Sequence, residues 1–141
     1  MTIDEIQEKI VADFEELGDS FDQYAYLIEI SAAHEGLSDG DKTPERLVEG
    51  CQSRVWLKIS TEGGIFSFSS DSDTLIVKGV LELLQQMLNG QTCADVSRAE
   101  VTFLQRTAIM DTFESDRQKG IGYVIRQLKK AAADADTVSA F

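Results

Sequence analysis

Thiols and imidazoles do much of the nucleophilic, redox and metal chemistry available near neutral pH. This chain of 141 residues has two cysteines, Cys51 and Cys93, and one histidine, His34. The count already excludes some chemistry. Three such side chains fall short of the four Cys/His ligands of an ordinary structural zinc site, and two thiols cannot supply the four thiolates of a protein-held iron–sulfur cluster. A site made mainly of carboxylates is not excluded by counting. One disulfide is arithmetically possible, but in a reducing compartment both thiols stay free.

Cys51 is the most informative of the three. It stands in Glu49-Gly50-Cys51-Gln52-Ser53, after a long loop and directly before the first clear strand. Reactive groups concentrate on loops held by a rigid scaffold, and a glycine beside the thiol lets the backbone bend and expose it. A free cysteine is more often a small buried hydrophobe, so that reading stands beside the reactive one, although polar and small neighbours weaken it. Cys93, in Thr92-Cys93-Ala94-Asp95-Val96, opens a helix and is expected to pack; a thiol in a first helical turn can also be acidified, which leaves a reactive role open. His34 falls at a helix end, where bonding the last carbonyls is its expected work. The sharper alternative pairs Cys51 with His34 as base and Asp71 or Asp73 as orienter, and the spacing gives it no support.

Other motifs carry less. Asp71-Ser72-Asp73 suits the N-cap of an apolar helix that follows, and it lacks the further oxygens and terminal glutamate of a calcium loop. Gly120-Ile121-Gly122 follows no strand and has no third glycine, so it is not a dinucleotide fingerprint. Trp56 is either covered by a helix or marks a partner surface.

Hydrophobic periodicity supplies the elements that must position these groups. Ile3, Ile6, Ile10, Phe14 and Leu17 recur every three or four residues, with Val11 beside them, which predicts one helix closed by Gly18. A second is expected from Asp19 or Ser20 to His34, with Tyr24, Leu27, Ile28 and Ser31 inward. Residues 36–49, including the only proline, Pro44, have no period and read as a loop. The period then falls to two. Val55, Leu57 and Ile59 face one way and Arg54, Trp56 and Lys58 the other; Thr61-Glu62-Gly63-Gly64 turns the chain, and Ile65-Phe66-Ser67-Phe68-Ser69 returns as a second strand.

Ile76, Val80, Leu83, Leu84, Met87 and Leu88 then define an apolar helix ended by Gly90, and Thr92 with Asp95 resembles a capping pair for a short one. Phe103, Leu104, Ala108 and Met110 suggest another helical segment. A last helix is expected over residues 116–133, with Ile121, Val124, Ile125 and Leu128 inward and Arg126, Lys129 and Lys130 near its end; residues 134–141 are expected to fray. A lone hairpin is marginal, and strands and helices do not alternate. The expectation is therefore one domain over residues 1–133, an α+β fold in which a small antiparallel sheet, the hairpin plus a third strand, is covered by helices.

Composition narrows the partners. With 43% hydrophobic and 27% charged residues the chain is an ordinary globular one. Its 25 acidic and 13 basic side chains give a formal net charge of −12, which argues against nucleic acid or an anionic membrane as the main partner. Residues 1–50 alone carry 14 carboxylates and 3 cations, a net −11. That is either a solvated face or a surface that attracts a basic partner. No run approaches the ~20 apolar residues of a membrane span, and the acidic, amphipathic start is unlike a secretory signal, so the expected location is the cytoplasm.

Four blocks carry a family resemblance. Gly50-Cys51-Gln52-Ser53-Arg54-Val55-Trp56-Leu57 resembles the G-C-x-S-x-V-W signature of the SufE family, sulfur acceptors for cysteine desulfurases in iron–sulfur cluster biogenesis. Ser70-Asp71-Ser72-Asp73 with Ile76-Val77-Lys78-Gly79 is similar to its S-D-x-x-I-V-x-G segment. Tyr24 with Tyr26-Leu27-Ile28-Glu29 is similar to its Y-x-Y-L-I-E helix, and Arg117 with Gly120 to its R-x-x-G. Order and spacing are kept over roughly residues 3–130. The chain departs from the pattern at Ser20 and Phe21, where the family has a tryptophan, and at Ile30-Ser31, where it has Leu-Gly.

The resemblance implies a fold like that of the U-type scaffold proteins, but with two cysteines where those proteins hold a cluster with three. It implies a covalent sulfur carrier and not an enzyme: Cys51 takes a sulfane sulfur from a PLP-dependent cysteine desulfurase, stimulates that enzyme and passes the sulfur to an iron–sulfur scaffold. Gly50, Gln52, Ser53, Trp56, Asp71, Asp73 and Arg117 would support the loop or dock the partner. No resident metal or cofactor is implied, since PLP belongs to the desulfurase, and the free protein is expected to be a monomer. The competing reading is a non-covalent regulatory module that binds through its acidic helices and hairpin and needs no thiol.

Overall fold

The structure, a computed structural model, describes residues 1–50 and 53–139, with side chains in the last helix to residue 136. Among these residues are five α-helices and a two-stranded antiparallel sheet, α1 (Ile3–Leu17), α2 (Ser20–Ala32), β1 (Val55–Ser60), β2 (Ser67–Ser72), α3 (Leu75–Leu88), α4 (Cys93–Arg98) and α5 (Ser115–Ser139). This is the expected α+β fold.

Each early helix starts where its cap dictates. Thr2 accepts from Glu5 N–H while the Glu5 carboxylate accepts from Thr2 N–H, a reciprocal capping box; Asp19 caps α2 through Asp22 N–H. Ile3, Ile10, Val11 and Phe14 are buried as the period requires, but Leu17 is 37% exposed. On α2 the buried positions are Gln23, Leu27 and Ser31, and Tyr24, expected inward, is 43% exposed. Gln23 takes the inner place because its side-chain oxygen accepts from Ala108 N–H, satisfying a backbone donor that an aromatic ring would leave unpaired.

α3 is the centre of the molecule. Leu81, Leu84, Met87 and Leu88 are at most 1% exposed, and the helix packs on α1, α2 and β2. Its approach to α2 is so close that a Cβ on Gly79 would lie 2.6 Å from the Leu27 carbonyl oxygen. Only glycine fits there.

The hairpin forms as expected, with a tight turn at Glu62–Gly64 and register from Val55↔Ser72 to Ser60↔Ser67. β2 starts two residues later than the alternation suggests and runs on through Asp71 and Ser72. Those residues are therefore strand and not helix cap, and the N-cap of α3 is Thr74, whose side chain makes no capping bond. Among the described residues the expected third strand is missing. A single bridge, Leu47↔Trp56, with Val48 N–H on the Val55 carbonyl at 2.8 Å, occupies the outer edge of β1 instead. The chain arrives there from a 3₁₀ turn at Pro44–Arg46 and bends at Gly50, which leaves no length for a strand.

Phe103 and Leu104 are buried and Ala108 half-buried, but the segment is not helical apart from one short 3₁₀ turn at Met110–Thr112. The Gln7 side chain accepts from Thr102 and Phe103 N–H, which replaces the bonds a helix would have made. α5 runs to Ser139, six residues beyond Ala133. No helix is long and apolar enough to cross a membrane among the described residues.

Candidate functional site

Cys51 and Gln52 lie outside the described residues, so the site is defined by what holds them on either side. The Val48–Val55 hydrogen bond closes the base of the loop over residues 49–54. On the entering side, Gly50 has φ +86°, and a Cβ there would lie 2.9 Å from Cε2 of Tyr123 on α5. Both the left-handed backbone and the ring demand glycine. On the leaving side, Ser53 is buried and its Oγ accepts from Thr74 Oγ1 at 2.9 Å. Arg54 N–H donates to Asp73 Oδ1 at 3.1 Å, and the Arg54 carbonyl accepts from Ser72 Oγ at 2.7 Å. The cysteine segment is thus fastened to the start of α3 at one foot and pressed by α5 at the other.

Beside it is a narrow, mainly apolar cleft lined by Ser53, Val55, Val77, Gly120, Ile121, Val124 and Arg117. Arg117 is half-buried, and its Nε is buried with no hydrogen-bond partner among the described residues. A buried guanidinium N–H without an acceptor is costly, and it is a ready donor to an anionic group.

Asp71 does different work from the capping expected of it. It is 4% exposed and pairs with Lys42 at 3.2 Å and Lys78 at 3.5 Å. It also accepts from Leu37 N–H at 3.0 Å and Ser72 N–H at 2.8 Å. Burial pushes its carboxyl upward, but the amides of Leu37 and Ser72, with Lys42 and Lys78, outweigh burial and hold it below the usual aspartate value. Asp71 thereby pins residues 36–42 across the sheet. From that segment Lys42 lies 5.5 Å from the centre of the Trp56 ring. Trp56 is half-buried, with Lys42 of this loop over its ring and Leu47 bridged to its backbone.

His34 does not bond the carbonyls of its own helix end through its ring. Its side chain is 1% exposed; Nδ1 meets Glu82 Oε1 and Nε2 meets the Ser70 carbonyl, each at 2.9 Å. It ties α2 to α3 and β2. Neither Asp71 nor Asp73 is its partner, and the base–orienter arrangement considered for these residues does not form. Cys93 is 2% exposed, and burial together with the charge of Asp136 pushes its thiol up, which leaves it a packing residue. No group of three or more metal-ligating side chains occurs among the described residues.

Of the sequence-predicted site residues, Gly50, Ser53, Asp73 and Arg117 gather around the cysteine loop, while Trp56 and Asp71 belong to the adjoining loop over residues 36–42. Sequence reasoning missed Tyr123 and Thr74. Tyr123 carried a signal, an aromatic on the polar side of the last helix one residue after Gly120-Ile121-Gly122. Two glycines inside a helix weaken it, and here Gly120 lines the cleft.

A small α+β protein with a glycine-flanked cysteine loop, clamped between the start of one helix and the face of another, is the class defined by this geometry. Comparison with known proteins gives the family: residues 8–132 match the model of SufE, the Fe-S metabolism associated domain, and the chain belongs to that family. An uncharacterised SufE-like protein of Rhizobium etli is 29% identical over 130 residues, spanning 89% of this chain and 88% of its own. The solution structure of a hypothetical protein from Thermus thermophilus superposes with a TM-score of 0.75 over 94% of this chain and 96% of that one, at 19% identity. That likeness establishes the fold. Family membership makes this an accessory protein of iron–sulfur metabolism.

Proposed function

We propose that the protein is a covalent sulfur carrier working in the cytoplasm. The Cys51 thiolate attacks the terminal sulfane sulfur of a persulfide on a PLP-dependent cysteine desulfurase. A new S–S bond forms at Cys51, the S–S bond of the donor breaks, and the donor cysteine leaves as a thiolate, so no net oxidation occurs. A downstream iron–sulfur scaffold takes the sulfur by the same exchange. PLP stays with the desulfurase, and the carrier needs no metal or cofactor of its own. It acts as a monomer that meets each partner in turn.

One observation carries this reading: Gly50 and Ser53, on either side of Cys51-Gln52, are both held in place, and Ser53 borders an apolar cleft where Arg117 Nε has no partner among the described residues. A carrier needs a thiol that can reach a partner yet be shielded from oxidants between encounters. Gly50 serves as hinge, Ser53 and Asp73 hold the loop's return, Gln52 and Trp56 meet the partner, and Asp71 steadies the neighbouring loop. Arg117 donates to the anionic sulfur. The test is the rate of sulfide release by a cysteine desulfurase with and without the protein. Wild type should stimulate it, and Cys51→Ser should lose all stimulation with its circular dichroism unchanged. Full stimulation by Cys51→Ser would overturn the proposal in favour of a non-covalent regulator.

A further inference from the structure

α5 carries a charge pattern opposite to the rest of the chain. Residues 117–130 contain five cations, Arg117, Lys119, Arg126, Lys129 and Lys130, and no carboxylate, in a protein of net charge −12. Most of its other cations are neutralised locally. Lys42, Lys58, Lys78, Arg46, Arg98 and Arg106 all pair with carboxylates, yet among the described residues Arg117, Lys119, Arg126 and Lys129 form no ion pair. Lys130 pairs with Asp134 at 2.9 Å and Arg117 lines the cleft beside the cysteine loop, but Lys119, Arg126 and Lys129 add to Lys130 on the outer side of α5, so this stretch stays net positive in an acidic protein.

The surface has shape as well as charge. Arg126 and Lys130 form a ridge between two grooves. One is lined by Ser97, Gly122, Ile125, Lys129 and Ala133 as well as the ridge, with apolar floor and no carboxylate. The other runs past Leu47, Val48 and Tyr123 to Glu45 and Glu49, so its far wall is acidic. Arg126 lies 5.6 Å from the centre of the Tyr123 ring, the same ring that presses on Gly50. The ridge is therefore continuous with the foot of the cysteine loop.

We propose that this ridge is a docking surface for a carboxylate-rich segment of the sulfur-donating desulfurase; this rests on the carrier reading above. Docking along Arg126 and Lys130 places the partner over Tyr123, next to the loop that must meet its persulfide. A protein with a local acidic patch fits better than a long polyanion, because the net −12 of the whole molecule repels charge that extends beyond the ridge. A second copy of the chain fits less well. Its acidic residues 1–50 would bring the rest of a net −12 chain against another net −12 chain.

The experiment measures association of the full-length protein with a PLP-dependent cysteine desulfurase by stopped flow, at low and at physiological salt. Arg126→Glu/Lys130→Glu should slow association about tenfold or more at low salt and flatten its salt dependence. Lys9→Glu/Arg98→Glu makes the same change in net charge at exposed sites elsewhere, and should stay within about twofold of wild type. Arg126→Gln/Lys130→Gln should fall between, with circular dichroism confirming the fold of all three. Equal rates for the two charge-reversed variants would overturn the proposal. So would a low-salt dimer abolished by the ridge variant, or a single-stranded RNA oligonucleotide held by the ridge with desulfurase association untouched. Cys51→Ser separates the two readings: it should associate at the wild-type rate while taking no sulfur. Sulfur uptake by that variant would overturn the carrier reading alone, and failure of wild type to associate would overturn both.

Discussion

Gly50 has no room for a side chain, and its φ of +86° is one that other residues resist. Gly50→Ala is expected to cost about 1–2 kcal/mol from the backbone alone, with a further loss as Tyr123 is displaced. Urea denaturation checks the sum. Adding Tyr123→Ala should recover the steric part and leave the backbone part. Asp71 gives a prediction in acid. Its carboxyl is held below the ordinary aspartate value in the folded protein, so its stabilisation is present above about pH 4 and is lost as pH falls through the folded value. Asp71→Asn should lose about 2 kcal/mol at neutral pH, and the wild-type advantage in urea midpoint should shrink steadily on acidification. A constant advantage down to low pH would contradict that assignment. Much of this site was legible from residue types. Glycine beside cysteine before a strand marked the loop, and the block containing Asp71 and Asp73 was recognisable. The side chains that hold the loop were not, because Tyr123 and Thr74 come from helices distant in sequence and local spacing carries no information on that contact.

Among the elements, α3 depends most on its neighbours. Alanine at position 79 would gain about 1 kcal/mol of helix propensity over glycine. It would also place a Cβ 2.6 Å from a backbone oxygen of α2, which a side-chain rotation cannot relieve. Overpacking of this kind costs about 1–3 kcal/mol, and here the obstacle is backbone. The steric term wins, so Gly79→Ala should lower the thermal midpoint; an unchanged or raised midpoint would contradict the close approach. The apolar stripes of α1 and α3 and the alternation of β1 were readable because each element buries one continuous face. Where burial is achieved by polar side chains the pattern fails. Gln7 bonds the amides of Thr102 and Phe103, and Gln23 that of Ala108, so Phe103 and Leu104 are buried without helical geometry. The bridge at Leu47 likewise stands in place of the third strand expected because a lone hairpin is marginal.

At the scale of the whole molecule the charge is divided, with residues 1–50 at net −11 and a basic ridge on α5 that adjoins the cysteine loop. Crowding so many carboxylates into the first third of the chain sets up self-repulsion. Raising salt to about 0.15 M should therefore raise the thermal midpoint at neutral pH. A falling midpoint would mean that the ion pairs of Asp71 and its neighbours outweigh the repulsion. Charge totals were legible in the sequence, but their placement was not, since only the fold brings α5 against the foot of the loop. The central claim is that Cys51 carries sulfur, and an intact mass spectrum tests it most directly. The protein is incubated with an active PLP-dependent cysteine desulfurase and free cysteine, then measured without reductant. A species heavier by one or more sulfur atoms, removed by reductant and absent from Cys51→Ser, is the predicted result. An unchanged mass, with a desulfurase shown to be active and to bind, would contradict it.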